Sequence, residues 1–589
     1  MSGRLRGGKR ARIARPQLPI RTHPAENGFR CGGVRGSVGR LIVKPKGKAT
    51  KAVRATERSP SRKFLLFIGG YLGVLLLCSY WIPGSDYDSL AMNVVRATLE
   101  RFGPLQETAF STQQIVLPKT FDYIVAFFLE RGHFSTLPSL VLFAVLVAVI
   151  LLRFRDVATE ALWFLFSAQV ILVGIASLKN DVPLGVVVFL AWLHIFLSKN
   201  SSYYLPLALA LLSALVGIKW HGAFFAAVFF AVLLFRLFRD RRPSWTAIVV
   251  CVALSPVLFE LSSAAVYINN LVSYGSLFPR SSEWGFIKDT SVSNFFRNWT
   301  LLFYFGVIDT FQFTYHLSDA YLNTDFWGLL YKPFADSMAH GYRFMPDSIA
   351  AFWGIPIVVL LVCLCIAIWS RSIPFSLRFA AGTSIAYMVF VCSQITLNGS
   401  IRYLAPGYVL GVVPAAAVLR RFRIPPAVRF LAAFYLVIVS LNALVWQQER
   451  RLLPIEIYDV NTRQRLQLAS VWYYLDDLDM LYFSMMGSYA EPYRAFRNNV
   501  RKADRLMVVN DGAQTDAPFF FPFLKDREPA NTKIVNLRRG GTIASDLSGY
   551  DYVLTYRYEL NRPDFERIYA FPGRYAVSIY RRNAAANRN

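Results

Sequence analysis

The sequence predicts a mainly α fold, a polytopic membrane helix bundle of about eleven spans, with surface helices in its first outer loop and a small α/β domain at its C-terminal end. Three observations predict it. The 589 residues are 54% hydrophobic and only 17% charged, well below the roughly 25% charge of ordinary soluble chains. Apolar runs of spanning or near-spanning length recur between residues 64 and 446. After residue 446 the apolar runs shorten and alternate, which is the period of strands.

The net charge of +27 invites a nucleic-acid reading, but its distribution argues otherwise. Residues 1–63 hold 18 Lys and Arg against two Glu. Much of the remainder sits in short loops between apolar runs, as the positive-inside rule requires. Residues 1–62 lack an apolar period and read as a disordered, basic, cytoplasmic tail; the stretch is too long for the n-region of a cleaved signal peptide. Cys78, Cys251, Cys363, Cys365 and Cys392 lie in apolar runs and Cys31 in the tail. None has metal-ligand spacing with a His partner, so they read as small apolar residues.

The apolar runs are 64–82, 137–153, 158–178, 182–197, 204–218, 222–238, 245–268, 348–369, 376–396, 403–419 and 428–446. Several fall short of the about 20 residues a helix needs to cross a bilayer, and adjacent short runs read equally as half-helices. With the basic tail inside, the inside connections include Arg153-Phe154-Arg155, Arg236 to Arg242, Arg371 to Arg378 and Arg420 to Arg429. The loops 83–136 and 269–347 and everything after 446 then fall outside. Residues 63–446 form the membrane domain on this reading and 447–589 a soluble extracytoplasmic domain. In that domain 506–509, 533–537, 552–556 and 575–580 read as strands, and 462–478 and 489–504 as helices.

In the first outer loop, residues 89–102 carry Leu90, Val94, Ala97, Leu99 and Phe102 on one side of a helix, and 121–130 read as a helix lying on the membrane surface. Loop 269–347 is aromatic, mixed in charge and without strong periodicity; loops of that length are more often functional than idle. His194 and His221 read as packing or interface residues. Tyr80-Trp81, Tyr203-Tyr204 and Trp220 fit an interfacial aromatic belt.

Carboxylates at span mouths are the chemical signal. Asp86 and Asp88 lie two residues apart just after the first span, and Asp181 lies at the start of another, on the same side. Each also reads as a helix cap. Beside Lys119 and Arg402, however, they offer carboxylates for a base or a divalent metal and cations for an anionic head group.

The segment Asp86-Tyr87-Asp88-Ser89-Leu90-Ala91, with Arg96 on the helix after it, resembles the first outer loop of GT-C-type polytopic glycosyltransferases, its bacterial branch above all. That group includes the protein O-mannosyltransferases and the aminoarabinose transferase of lipid A. Asn180-Asp181-Val182-Pro183-Leu184 resembles the second acidic motif of the superfamily. Pro118-Lys119 stands where the family has Lys-Pro-Pro-Leu, with the order changed and one Pro missing. Asn398 to Pro406, containing Arg402-Tyr403, resembles its late Arg-Tyr-x-x-Pro segment. The resemblance covers roughly residues 64–446.

It implies a multi-pass protein of the bacterial inner membrane. The enzyme would move a hexosyl or pentosyl group from a polyprenyl-phosphate donor to an envelope lipid, glycan or protein at the outward face, with inversion and without nucleic acid. Asp88, Asp86 and Asp181 are then the catalytic candidates, with Asp88 as base. Lys119, Arg402 and Arg280 are the candidates for the donor phosphate, and Asp88 and Asp181 for a divalent metal, Mg or Mn. The rival readings are a transporter or flippase of a lipid-linked saccharide, against which stands the lack of a clear internal repeat, and a non-catalytic membrane scaffold.

Overall fold

The structure is a computed structural model. It describes residues 60–81, 94–110, 112–130, 136–177, 179–198, 203–239, 243–279, 291–308, 353–394 and 401–445, and in the C-terminal part 452, 455–459, 464–468, 470–474, 476–477, 479–480, 490–511, 520–537, 543, 546–571 and 576–583. Asp86, Asp88, Arg280 and the basic tail lie outside these.

The long apolar runs fold into helices, the central one across an internal proline, Pro414. These are α1 (Arg62–Trp81), α6 (Leu137–Arg153), α9 (Asp181–Leu197), α10 (Tyr204–Ile218), α11 (Gly222–Arg239), α16 (Ile355–Trp369), α17 (Phe375–Gln394), α18 (Ala405–Leu419) and α19 (Pro426–Val445). α18 is the centre of the bundle: Tyr408, Val412, Val413 and Ala415 are fully buried. Its neighbours are α9, α16 and α17. The outward faces of peripheral helices stay apolar; Phe238 and Trp369 are 86% and 85% exposed. Such a surface suits lipid and not water.

The expected eleven runs are not eleven straight spans. Among the described residues five helices are long and apolar enough to cross a membrane, or up to seven if each of two bent pairs counts as one. The run 158–178 breaks at Ala168, whose extended backbone separates α7 (Ala158–Ser167) from α8 (Gln169–Ala176). α6 and the segment Arg155–Ser167 meet at 105°, and α8 and α9 at 104°. The run 245–268 breaks twice, into α12 (Trp245–Ala253), α13 (Ser255–Leu261) and α14 (Ala264–Tyr274). The second break is at Ser263, whose φ of 54° is left-handed. Periodicity reports which residues are apolar and is blind to such breaks.

The first outer loop carries α2 (Val94–Glu100), α3 (Leu105–Thr108), α4 (Thr112–Val116) and α5 (Thr120–Glu130). Both helices expected there are present, the first ending at Glu100, while residues 89–93 of its expected range lie outside the described residues. Loop 269–347 holds a helix that the sequence reading missed, α15 (Val292–Ile308), which packs on α16 and α17.

The C-terminal part contains a five-stranded sheet in the order β4-β3-β5-β7-β6. β3 (Leu506–Asn510) pairs in parallel with β4 (Thr532–Asn536) and β5 (Tyr552–Tyr556), while β7 (Val577–Arg582) is antiparallel to β5 and to β6 (Phe565–Phe571). All four expected strands are present, and β6 was missed. The helix expected over 462–478 is replaced by a hairpin of β1 (Ile455–Asp459) with β2 (Gln464–Leu468) and a short 3-10 turn, Val471–Tyr474. Its residues alternate as well as they repeat, so the period was ambiguous. α20 (Ala490–Asn499) and α21 (Phe520–Leu524) cover one face of the five-stranded sheet together with the first outer loop.

This domain is fastened to the first outer loop. Arg101, just past α2, donates through Nη1 to the Lys525 carbonyl at 3.1 Å and through Nη2 to the Arg527 carbonyl at 3.0 Å. Asn536, at the end of β4, donates to the carbonyl of Ala109 beyond α3.

A backbone junction joins that loop to the bundle. Ser263 Oγ accepts from the Lys119 amide at 3.1 Å, shares a hydrogen with Thr120 Oγ1 at 2.8 Å and faces the Gly217 carbonyl at 3.4 Å. Gly217 is required by close approach: a Cβ there would stand 1.8 Å from the Leu261 carbonyl oxygen and 2.8 Å from Thr120 Oγ1. Gly217→Ala is therefore expected to cost about 1–3 kcal/mol, read as a lowered Tm of the detergent-solubilised protein; an unchanged Tm would show that the junction is looser than described.

Candidate functional site

The mouth of the bundle is built where chain breaks leave polar residues at helix starts. The α8–α9 break delivers Lys179-Asn180-Asp181. Asp181 opens α9, and Pro183 fits its first turn, where no amide hydrogen is needed. The tight α10–α11 connection delivers Lys219-Trp220-His221. That turn closes only because residue 222 is glycine; a Cβ would lie 1.7 Å from the Leu215 carbonyl oxygen. A 3-10 turn, Ile401–Leu404, delivers Arg402-Tyr403 just before α18.

These three segments converge on one carboxylate. Lys219 Nζ lies 2.5 Å from Asp181 Oδ1, and Arg402 Nε lies 3.4 Å from Oδ2. Asp181 is buried, and so are Lys179 and Arg402. Asn180 Nδ2 donates to the Ile218 carbonyl at 2.9 Å and ties the Asp181 segment to the Lys219 segment by a second bond. Tyr403 lies beneath both cations: Lys219 Nζ is 4.3 Å from its ring centroid and Arg402 Cζ is 5.3 Å. Its carbonyl accepts from Tyr387 Oη at 2.9 Å. Cations over an aromatic face gain from its negative quadrupole, more so when desolvated.

A second charged pair, Arg96 with Asp122, is fully buried beside this cluster. The Arg96 guanidinium also donates to the carbonyls of Leu117 and Pro118, the latter at 2.7 Å. It thus fixes the backbone immediately before Lys119. Burial raises the Asp122 carboxyl to about 6, against the pull of Arg96 and Lys219. Lys119 itself turns to Glu100, 3.0 Å from Nζ, and to the Tyr123 ring at 5.0 Å.

Of the expected site residues, the structure brings Asp181 and Arg402 together directly, and ties Lys119 to the same mouth through Ser263 and Gly217 rather than through its ammonium. Asp86, Asp88 and Arg280 lie outside the described residues. Sequence reasoning missed Lys219, Tyr403, and the Arg96–Asp122 pair. Lys219 carried the same signal as Asp181, a charge in a short connection between two apolar runs, on the same expected side. His194 is a packing residue as expected, with Nε2 2.9 Å from the Tyr204 carbonyl and Nδ1 3.1 Å from Ser198 Oγ.

The arrangement suits an anion. A divalent ion at Asp181 would meet the two positive charges of Lys219 and Arg402 that already stand against that carboxylate; Asp88, the other expected ligand, lies outside the described residues. Among the described residues no group of three His, Cys, Asp or Glu could hold a metal ion.

The fold and the site define a multi-helix, apolar protein with a buried, cation-rich mouth. No family model matches the chain, and no curated protein matches it. Among solved structures it is similar to ArnT from Cupriavidus metallidurans bound to undecaprenyl phosphate, at TM-score 0.47 and 14% identity, over 88% of this chain and 98% of that one. The same enzyme in the apo state gives TM-score 0.47 and 13% identity over the same shares.

Replacing Arg96 alone by Met strands a buried carboxylate, so it is expected to destabilise the protein by about 3–5 kcal/mol. The double change Arg96→Met with Asp122→Leu removes both charges and should recover most of that. Urea or thermal denaturation in detergent measures both; equal losses would mean that Arg96 acts through Leu117 and Pro118 and not through its charge.

Proposed function

We propose that this protein is a glycosyltransferase that takes a sugar from a polyprenyl-phosphate donor and passes it to an acceptor in the cell envelope. The observation that carries the reading is the convergence of Lys219 and Arg402 on Asp181 at the mouth of an apolar bundle. A lipid-linked sugar phosphate needs that combination, a greasy wall for its tail and fixed cations for its phosphate at the bilayer edge. The motif resemblance of the segments around Asp88, Asp181 and Arg402 points the same way.

The chemistry follows from charge. As the acceptor oxygen bonds to the anomeric carbon, the bond from that carbon to the phosphate oxygen breaks and its electron pair stays on phosphate. Lys219 and Arg402 are poised to receive the charge gained there, already oriented and partly desolvated, so little reorganisation is needed in the transition state. Asp181 positions the two cations and keeps their mutual repulsion in check. Lys119 adds a third cation at the same mouth if it exchanges Glu100 for phosphate. Asp88 is the base that takes the acceptor proton, with Asp86 beside it. A single displacement of this kind inverts the anomeric carbon. No step is assigned to a metal ion. In this reading the mouth opens outward, with the tail cytoplasmic and the C-terminal sheet on the acceptor side.

The test is transfer by the purified full-length protein in nanodiscs, supplied with undecaprenyl-phosphate sugars and envelope extract. Lys219→Met and Arg402→Met should each lower the rate by about 10²–10³-fold, and Asp88→Asn by about 10²–10⁴-fold; because each of the first two also takes a partner from the buried Asp181 carboxylate and lowers Tm, rates are compared per folded protein, below the Tm of every variant. Transfer that survives Lys219→Met and Arg402→Met together would sink this assignment.

A further inference from the structure

His221 is the buried titratable group that this mechanism leaves unused. It is 3% exposed, and neither ring nitrogen has a hydrogen-bond partner among the described residues. Buried imidazole nitrogens are normally paired, because an unpaired one forfeits its bond to water without replacement. Two aromatic rings contact it. The Trp220 ring is 4.4 Å away, centroid to centroid, and the Tyr403 ring is 4.8 Å away. Trp220 is the partly exposed member of the three and also contacts Phe278, at 6.1 Å. Burial, then Lys219 and Arg402, hold the imidazole well below its usual pKa, so the ring is neutral at physiological pH. A neutral imidazole has one N–H donor and one bare acceptor nitrogen.

A phosphate does not use that pair, since it offers acceptors only. The hydroxyls of a sugar can use both, one accepting from the N–H and another donating to the bare nitrogen. An aromatic wall is likewise what the C–H face of a sugar ring packs on. We propose that Trp220, His221 and Tyr403 form the saccharide subsite of this mouth, with His221 hydrogen-bonding a hydroxyl of the sugar carried on the lipid phosphate. The inference rests on the donor reading above and goes further by dividing the site. Lys219 and Arg402 hold the phosphate. The histidine next to Lys219 and the tyrosine next to Arg402 hold the sugar, so adjacent residues on two segments serve the two halves of one ligand. The sugar reaches the imidazole where Trp220 now covers it, and its hydroxyls supply the missing partners.

The test compares binding of two probes to the full chain in nanodiscs: undecaprenyl phosphate alone, and undecaprenyl phosphate esterified in turn with glucose, mannose and arabinose. The wild type should bind alone-phosphate and prefer at least one sugar-bearing form. His221→Phe keeps the ring's shape and removes both polar atoms. It should bind undecaprenyl phosphate as the wild type does, and lose roughly tenfold to a hundredfold of the preference for the sugar-bearing form. His221→Gln keeps a donor and an acceptor and should retain most of it; His221→Leu, which also removes both polar atoms, takes the place of the Phe variant if that one fails to fold. Unaltered preference in His221→Phe, or in His221→Leu in its place, overturns the subsite while leaving the phosphate site intact. A wild type that binds the two probes equally does the same. A wild type that binds neither overturns the donor reading itself, and this inference with it.

Discussion

Two positive side chains, Lys219 and Arg402, are held on a single buried carboxylate, and the rest of the mouth depends on that grip. Without Asp181 the cations would repel one another across a medium that screens far less than water. With it, each keeps a partner on one side and can still attract an anion on another. The carboxylate acts at 2.5 and 3.4 Å, and it joins residues about two hundred positions apart in sequence. Hydrogen bonds from neutral groups could not hold two charges so close in so dry a place.

The breaks in the bundle are a condition of this arrangement. An unbroken α8–α9 helix would carry Lys179, Asn180 and Asp181 around its sides. The 104° bend places them at an end. Irregular backbone buried in an apolar bundle survives only where protein satisfies its polar groups, and here Ser263 and Asn180 do so. The same bonds bring the first outer loop, with Lys119, to the Lys219 turn. The Arg96–Asp122 pair then fixes that loop from within.

The C-terminal sheet enters through the same loop. Arg101 and Asn536 connect it to the segments on either side of α3, while Lys119 and Thr120 connect the loop to the bundle. Among the described residues the sheet is thus linked to the mouth through the first outer loop.

The sequence by itself determined the class of this protein. Apolar helices, surface helices in the first outer loop, four strands of the terminal sheet, and the polar mouths holding Asp181, Lys119 and Arg402 were all legible. Each is a local matter of composition, period or a charge beside an apolar run. Only the tertiary structure decided which runs bend, that 455–468 is a hairpin, that Lys219 and not Lys119 grips Asp181, and that Arg96 meets Asp122. It also turned His221 from a residue read as packing or interface into a buried ring whose two nitrogens have no hydrogen-bond partner among the described residues. Those outcomes rest on pairings between distant segments, where one carbonyl, one glycine or one carboxylate settles a geometry that no window of neighbouring residues contains.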